Sequence, residues 1–392
     1  MRIAIIIIGN TRRNNYLNGH NLRYGGTGAS GTDTSSILVA EYLAKQGHEV
    51  VVCTDNLDEP LEKEYLKEGV HVPGMTSYGV TYTDLKFTNV ENRSFDILIN
   101  MLWFNKYEEL PITVSKSVIY WGHMQWIYGL DELISYAAKN NLSIGVVNVS
   151  EWQRTTSQGT IDTIKLRHKK TLQTTIPNSV FDEIISEVKA ENIKKKPGKF
   201  IFHATWVTGG NVALDVVRQL DIKNKEFHAL DYFISVDNHP DDFFYNHKSN
   251  DRKTVFKHLA ESEYFIYPLY TIHKTIRKDT FALTVAEALA LGAIVLTYPL
   301  GALPETYKDY CVWLDAPPGV DLIQLQQADL ARDEEGKFTY TKNIVDKINY
   351  LEAHPEIKEQ YKEAGKNYIM ENFNLNKVGN MWDSFISNLI QL

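Results

Sequence analysis

The chain has 392 residues, of which 43% are hydrophobic and 23% charged, and its formal net charge is -8 at pH 7. The length predicts two globular domains, with function in a cleft between them. The acidic balance argues against nucleic acid as a main partner. No aliphatic run is long enough to span a bilayer. Two separate cysteines, Cys53 and Cys311, indicate neither a disulfide framework nor a zinc site. We expect a soluble, cytoplasmic protein with at most peripheral membrane contact.

Short β-branched runs alternate with helical patterns along the chain, which is typical of doubly wound parallel sheets. One series starts at IAIIII (3–8), and a second starts at KFIFHA (199–204). The charged segment between them, SEVKAENIKKKPGK, ends in a turn signal and has the composition of a linker. We predict an N-terminal Rossmann-like domain (1–185), a linker (186–199), a second Rossmann-like domain (200–370) and a terminal helix (371–392) that crosses back to the first domain.

The glycine-rich stretch RYGGTGASGTDTSS (23–36) contains Gly26-x-Gly28-x-x-Gly31, the spacing of the dinucleotide-binding fingerprint. In that fingerprint the first glycine directly follows the first strand, because the turn must present helix amides to the pyrophosphate. Here a long segment separates Gly26 from a strand that ends near Ile8. The sequence therefore does not favour an NAD-binding domain.

The same stretch ends in a loop that precedes the helical pattern TSSILVAEYLAKQ (34–46). Amides at a helix N-terminus can receive an anion, which makes Ser30, Gly31, Thr32 and Asp33 candidate first-loop residues. Equally, Thr32 or Asp33 caps the helix and the glycines only turn the chain. The preceding long segment, with Arg12 and Arg23, is a candidate for acceptor contact or a lid.

The segment KDTFALTVAEALALGAIVLTYPLGALPET (278–306) places Asp279 before a helix and Glu287 within it. If residues 280–287 are all helical, the two acids lie about 12 Å apart along the axis. Two such carboxylates can accept hydrogen bonds from both hydroxyl-rich ends of one ligand, while amides of residues 281–283 face an anionic middle. A sugar-diphosphate-nucleoside has this order of parts. An ordinary helix with an acid near its positive end also fits the spacing.

This segment closely resembles the donor-binding signature of glycosyltransferase family 4, an acid, seven residues and a glutamate (E-x7-E), then a helix, a strand and a Gly-x-x-x-E turn. Other segments resemble further motifs of that group, and they follow in the same order along most of the chain. They are GASGTD (28–33), VNVSEWQR (147–154), IPNSV (176–180) and ENFNLNKVGNMW (371–382). The resemblance implies a GT-B fold, in which two Rossmann-like domains face each other across a cleft. The acceptor then binds the first domain and the nucleotide-sugar the second.

The resemblance also implies an activity, which is transfer of a sugar from a nucleoside diphosphate to a hydroxyl of a glycan, a lipid-linked glycan or a small molecule. Transfer would retain the anomeric configuration and need no metal or other cofactor. In agreement, the sequence contains no Asp-x-Asp that would clamp a diphosphate through a divalent ion. By motif, Glu287 would hold the ribose hydroxyls and Asp279 those of the sugar. Amides of Phe281, Ala282, Leu283 and Thr284 would stabilise the leaving diphosphate.

His123, in VIYWGHMQW (118–126), matches a family position at which a histidine reaches the donor sugar. It can hydrogen-bond a sugar hydroxyl, or it can be a loop histidine beside Trp121 and Trp126. The two tryptophans are either a wall on which a sugar stacks or part of the core. The residues alone leave both questions open.

The sequence departs from the family pattern at the glycine pair of Thr208-Gly209-Gly210. An Arg or Lys usually precedes that pair and neutralises the diphosphate, whereas residues 205–208 are Thr, Trp, Val and Thr. The charge could come instead from Lys274, Arg277 or Lys278. The missing cation keeps open a non-catalytic carbohydrate-binding, nucleotide-binding or partner subunit, and a GT-B sugar-nucleotide epimerase is a further alternative.

Overall fold

The structure, a computed structural model, describes residues 1–7, 18–24, 29–53, 76–87, 89–101, 104–124, 127–204, 206–231, 241–248, 251–269, 278–315 and 341–392. The chain separates into two compact units. The first contains Met1–Ser179 together with Phe373–Leu392, and the second contains Val180–Asn372.

In the described part of the first unit, eight strands form one sheet. They are β1 (Arg2–Ile6), β2 (Glu49–Cys53), β3 (Thr76–Ser77), β4 (Val80–Thr83), β5 (Ser94–Met101), β6 (Thr113–Gly122), β7 (Ser143–Asn148) and β8 (Thr171–Thr175). Their order is β3-β4-β2-β1-β5-β6-β7-β8, and every neighbouring pair is parallel except β3 with β4. All six residues of β7 are buried, which explains its unbroken apolar pattern in the sequence.

Helices of the first unit pack on this sheet. Those that precede the second unit are α1 (Gly19–Tyr24), α2 (Gly31–Lys45), α3 (Leu130–Lys139), α4 (Glu151–Thr156) and α5 (Gln158–Arg167). One core cluster joins Ile6 of β1, Leu98 of β5, Leu133 of α3 and Ile161 of α5. Both helices therefore pack on the core that these strands share.

The described strands of the second unit form a six-stranded, wholly parallel sheet. They are β9 (Lys196–His203), β10 (Glu226–Asp231), β11 (Phe244–Lys248), β12 (Ser262–Tyr267), β13 (Ile294–Thr297) and β14 (Val312–Trp313), in the order β11-β10-β9-β12-β13-β14. The helices are α6 (Asp182–Ala190), α7 (Gly210–Gln219), α8 (Arg252–Glu261), α9 (Leu283–Ala290), α10 (Leu303–Tyr307), α11 (Thr341–Ala353) and α12 (Pro355–Asn372).

The segment 186–199, for which the sequence predicts a linker, lies inside the second unit. It forms the end of α6, a short connection and the first half of β9. The charged composition reflects one exposed side of these elements, as Lys194 and Lys196 are exposed. Lys195 instead is part-buried and donates hydrogen bonds to the carbonyls of Leu259, Ser262 and Leu291.

The last helix, α13 (Leu375–Leu389), returns to the first unit, as the sequence predicts. Trp382 is fully buried, and its ring centroid lies 4.5 Å from that of Trp121 on β6. Phe385 and Leu389 of the same helix lie against Gly145 on β7. The predicted fold class is thus confirmed: two doubly wound, mainly parallel sheets with a terminal helix that crosses back to the first unit.

Both cysteines, Cys53 and Cys311, are buried thiols that are not joined in a disulfide. Burial raises the pKa of the Cys311 thiol, so it is uncharged at neutral pH. Among the helices of the described residues, none is long and apolar enough to cross a membrane.

Gly379 permits the close approach of α13 to α2. A Cβ at this position would lie 2.3 Å from the nearest ring atom of Tyr42, so Gly379→Ala must displace one of the helices. We expect this substitution to lower the free energy of unfolding by about 1–3 kcal/mol in urea denaturation. Gly159, in α5, has no neighbour within 4 Å of such a Cβ, and Gly159→Ala should cost nothing. Equal losses in both variants would contradict this account.

Candidate functional site

The order of the second sheet reverses between β9 and β12. From β9 the chain continues to β10 and β11 on one side, and β12 and β13 follow on the other. In doubly wound sheets, ligands bind outside the carboxyl ends of the strands at such a switch point. Tyr267 ends β12, and its hydroxyl donates a hydrogen bond to Asp279 Oδ2 at 2.6 Å. Asp279 therefore lies at the edge where a ligand is expected.

The backbone of Asp279 is held by the turn that follows β13. Its carbonyl oxygen accepts a hydrogen bond from the Ala302 amide at 2.9 Å. A Cβ on Gly301, which has a φ of +61°, would lie only 2.4 Å from that oxygen. Gly301 begins the Gly-x-x-x-E turn of the sequence, so its lack of a side chain lets the turn approach Asp279.

Helix α9 begins after a left-handed residue, Ala282, which has φ 56° and ψ 70°. This conformation costs an L-residue about 1–2 kcal/mol. The Tyr307 hydroxyl lies 2.6 Å from the Phe281 carbonyl oxygen and 2.9 Å from that of Ala282, and it supports the turn by donating to them. The helix begins at Leu283. The continuous helix over 280–287 that gave the expected separation of the two acids is therefore wrong.

The first turn of α9 presents backbone amides. The amides of Leu283 and Thr284 have no acceptor within the helix, because the first such bonds run from Val285 and Ala286 to the Ala282 carbonyl. Within the described residues, no side chain caps this end. A helix N-terminus carries a partial positive charge, so this end can receive an anionic group.

Glu287 is the most deeply buried carboxylate of the predicted site, with 0% of its surface exposed. Its Oε2 lies 3.4 Å from Arg252 Nη1, and its Oε1 has no hydrogen-bond partner among the described residues. Burial raises the pKa of this carboxyl, and the neighbouring Arg252 charge acts in the opposite direction.

Arg252 is the site residue that the sequence analysis did not find. It is the first residue of α8, follows the N-cap Asp251, and is itself buried. Its guanidinium is the cation that the structure places beside Glu287. No local sequence pattern indicates the pair, because the two residues belong to different helices and lie far apart along the chain.

The glycine pair Gly209-Gly210 makes room for an aromatic ring. Gly209 has a φ of 130° and precedes α7, and a Cβ on Gly210 would lie 2.3 Å from the Trp206 ring. Trp206 also packs edge-on against Phe202 and donates a hydrogen bond from Nε1 to Asn211 Oδ1 at 3.0 Å. Thr208 is buried in the short helical turn before the pair. In the family pattern an Arg or Lys precedes the glycine pair, whereas here the segment before the pair contributes Trp206 to an aromatic cluster.

Three residues were candidates to supply the missing positive charge. Lys278 is partly exposed and directly precedes Asp279. Lys274 and Arg277 lie outside the described residues, as does Thr205 of the segment before the glycine pair. The geometry of the described chain therefore bears only on Lys278.

In the first unit, the loop before α2 forms a capping box. The amide of Asp33 donates to Ser30 Oγ at 3.2 Å, and the Ser30 amide donates to Asp33 Oδ2 at 2.9 Å. Ser30 is therefore the N-cap, which corrects the expectation of Thr32 or Asp33, and Gly31 and Thr32 open the helix. Gly26 and Gly28 lie outside the described residues.

Arg23 was predicted at an acceptor surface, but only 2% of it is exposed. Its two terminal nitrogens each lie 2.8 Å from an oxygen of Glu41, and its guanidinium packs over the Tyr78 ring at 3.8 Å. A buried bidentate pair of this kind holds α1 against α2. Arg12, its companion in the prediction, lies outside the described residues.

His123 follows β6 and is almost fully buried, with its ring centroid 5.0 Å from that of Trp121. Burial lowers the pKa of His123 to about 3, so the imidazole is neutral at physiological pH. It can therefore exchange hydrogen bonds but does not carry charge. Trp121 is fully buried and belongs to the core, so of the two alternatives it is a core residue and not a wall on which a sugar stacks. Trp126 lies outside the described residues.

Comparisons with known proteins identify the fold. No family model and no curated protein sequence matches the chain. Sucrose-phosphate synthase from Thermosynechococcus elongatus aligns with 100% of this chain and 99% of its own, at TM-score 0.63 and 11% identity. Anabaena HepE in complex with UDP-glucose aligns with 99% and 100%, at TM-score 0.56 and 10% identity. The catalytic domain of starch synthase IV from Arabidopsis thaliana, bound to ADP and acarbose, aligns with 100% and 99%, at TM-score 0.55 and 12% identity.

The chain has the GT-B fold. At such low identities, the similarity establishes the architecture of the chain and leaves its chemistry to the residues of the site.

The contact between Gly301 and Asp279 can be tested against a second left-handed glycine. Gly301→Ala should lower the free energy of unfolding by the left-handed penalty of about 1–2 kcal/mol, with a further loss from the clash with the Asp279 carbonyl. Gly292 has a φ of +72°, and a Cβ added there would have no atom nearer than 3.7 Å, so Gly292→Ala should show the first cost alone. Urea denaturation of both variants measures the difference. Equal destabilisation would mean that the close approach is not required.

Proposed function

We propose that this protein is a glycosyltransferase of the family 4 type, which transfers a sugar from a nucleoside diphosphate to an acceptor hydroxyl. The observation that carries the proposal is the Glu287 carboxylate, fully buried in α9 with its Oε1 unpartnered among the described residues. A buried polar atom without a partner is costly, and a bound hydroxyl would satisfy it. The GT-B fold supplies the context, since glycosyltransferases share it.

The donor in this proposal is a nucleoside-diphosphate sugar. HepE binds UDP-glucose and starch synthase IV binds ADP, according to their structures. In this chain, Glu287 would accept hydrogen bonds from the ribose hydroxyls, and Asp279 from hydroxyls of the transferred sugar. Asp279 suits that role because Tyr267 and Gly301 fix its side chain and backbone.

The leaving diphosphate would lie at the N-terminus of α9. Amides of residues 281–284 would stabilise its charge as the glycosidic bond breaks. Lys278 is the candidate among the described residues for additional positive charge, with Lys274 and Arg277 as further candidates. We propose that transfer retains the anomeric configuration, uses no metal or other cofactor at the diphosphate, and occurs in the cytoplasm, where thiols outside disulfides, such as Cys311, persist.

The acceptor in this proposal is a glycan, a lipid-linked glycan or a small molecule bound by the first unit. His123 is the candidate there for a hydrogen bond to a sugar hydroxyl. Because burial keeps its pKa low, His123 would position a substrate as a neutral ring and would not act as a general acid.

One observation favours a second candidate function, a non-catalytic binding subunit. Trp206, and not a basic residue, lies next to the glycine pair, so the diphosphate would receive less positive charge there than in the family pattern. Such a protein would bind a nucleotide-sugar without cleaving it. A sugar-nucleotide epimerase would instead release an isomer.

Glu287→Gln should weaken nucleotide binding by about 10-fold or more, since a charge-assisted hydrogen bond contributes roughly 1.5–3 kcal/mol. Calorimetric titration with UDP, GDP, ADP, TDP and CDP and their sugar conjugates, with and without EDTA, measures the effect. Glu356→Gln, at an exposed position of α12, is the matched control. Equal affinity in wild type and Glu287→Gln would refute the donor-site assignment.

The raised pKa of Glu287 predicts a pH dependence of binding. The ionised carboxylate accepts stronger, charge-assisted hydrogen bonds than the protonated carboxyl, so affinity should increase as pH rises through the raised pKa, above the usual range of a glutamate. Glu287→Gln has no such group and should lose this increase, whereas ionisation of the ligand affects both proteins alike. Parallel pH profiles of the two proteins would exclude Glu287 as the titrating group.

Asp279→Asn should leave nucleotide affinity nearly unchanged and reduce turnover by about 100-fold, because its contacts strengthen in the transition state. Slow hydrolysis of the bound sugar nucleotide provides the assay before an acceptor is known. Asp309→Asn, at an exposed position of the same unit, is the control. Binding without hydrolysis in the wild type would favour the non-catalytic subunit, and an isomeric product the epimerase.

A further inference from the structure

Three histidines of the second unit converge on one side of its sheet. They are His228 on β10, His247 on β11 and His258 on α8. Each offers a ring nitrogen, and these three atoms all lie within 4.8 Å of one another. The ring centroids of His247 and His258 are 4.1 Å apart. The proposed donor site uses none of the three.

The local sequence explains why these rings meet. Side chains two residues apart share one face of a strand, so Glu226 and His228 face the same side of β10. Pairing of Leu230 with His247 in the parallel ladder brings the β11 histidine diagonally next to His228. His258 reaches both from the last turn of α8.

Hydrogen bonds already orient the His228 ring. Its Nε2 lies 2.9 Å from Glu226 Oε2, so Nε2 carries the hydrogen and donates it to the carboxylate. Nδ1 of His228 then presents its lone pair towards His247 Nε2, at 2.8 Å. A carboxylate that fixes the tautomer of a histidine in this way is the usual outer partner of a metal-binding imidazole.

We propose that His228, His247 and His258 bind one divalent late transition-metal ion such as Zn²⁺. Imidazole nitrogens suit Zn²⁺, Cu²⁺ and Ni²⁺, and zinc sites with three histidines keep a fourth position for water. At a metal–nitrogen distance of about 2.0–2.1 Å, tetrahedral ligand atoms are roughly 3.3 Å apart. The 2.8 Å pair has to open slightly, and the Nε2 hydrogen of His247 moves to its Nδ1. The ion would tie β11 to β10 and to α8.

Lys199 and Lys196 are nearby groups that oppose a cation. Lys199 Nζ lies 3.3 Å from His258 Nδ1, and Glu261 Oε2 pairs with Lys199 at 2.6 Å and with Lys196 at 3.3 Å. The carboxylate thus offsets part of the positive charge close to the histidines. Lys199 also gives a means to separate a cation site from an anion site, because removal of its charge affects the two in opposite directions.

The test is calorimetric titration of the untagged, EDTA-treated and dialysed full-length protein with Zn²⁺, together with the visible absorption of bound Co²⁺. We expect one site that His247→Ala and His258→Ala each abolish. Glu226→Gln should weaken it by about 10–100-fold. His354→Ala is the matched control, since His354 belongs to the same unit and bonds the Tyr350 carbonyl. Circular dichroism verifies folding, and His258→Gln replaces His258→Ala if the latter does not fold.

Lys199→Gln completes the test. For a metal site, Zn²⁺ binding strengthens in this variant. Zn²⁺ affinity unchanged by His247→Ala and His258→Ala would overturn the proposal, and so would phosphate binding that is lost in Lys199→Gln. The metal titration does not involve Glu287 or Asp279. Its failure would therefore leave the donor-site experiments on those two residues unaffected.

Discussion

Burial of the Glu287 carboxylate is the constraint around which the second unit is arranged. A carboxylate without solvent is costly unless charge and hydrogen bonds compensate it. Arg252 supplies charge at 3.4 Å, a long contact that leaves Oε1 without a partner among the described residues. The raised pKa records the remaining cost. In the proposed donor site, hydroxyl groups of the ligand would offset this cost by donating the hydrogen bond that Oε1 lacks.

The other acid, Asp279, is fixed by different means. Its position depends on backbone geometry, through the close approach of Gly301 and the turn that Tyr307 supports at Ala282. The left-handed Ala282 delays the start of α9 until Leu283. The start of α9 therefore follows Asp279 closely along the chain, near the point where the order of the parallel strands reverses and where ligands bind in doubly wound sheets.

The sequence predicts the fold well. Each strand and each helix of a doubly wound sheet has its own local pattern, a β-branched run or a helical period, and these patterns alternate along the chain. The sequence also predicts Asp279 and Glu287 as candidate site residues, since both belong to one continuous motif. Long-range pairs are different. The bond of Arg252 with Glu287 and that of Arg23 with Glu41 join distant segments, and nothing in the local pattern of either arginine indicates its partner. Arg23 was consequently placed at a surface when it is buried.

Helix α8 carries one member of the Arg252–Glu287 pair and one of the three histidines, and its dipole acts differently on the two. Arg252 is a cation at the positive end, where it pairs with the Glu287 carboxylate. His258 lies in the last turn, where the negative end of the helix favours positive charge. The ammonium group of Lys199 already lies near that end, in contact with His258. A metal ion among the histidines would therefore lie where the helix itself attracts a cation, whereas Arg252, near the proposed donor site, is held against the dipole by the Glu287 carboxylate.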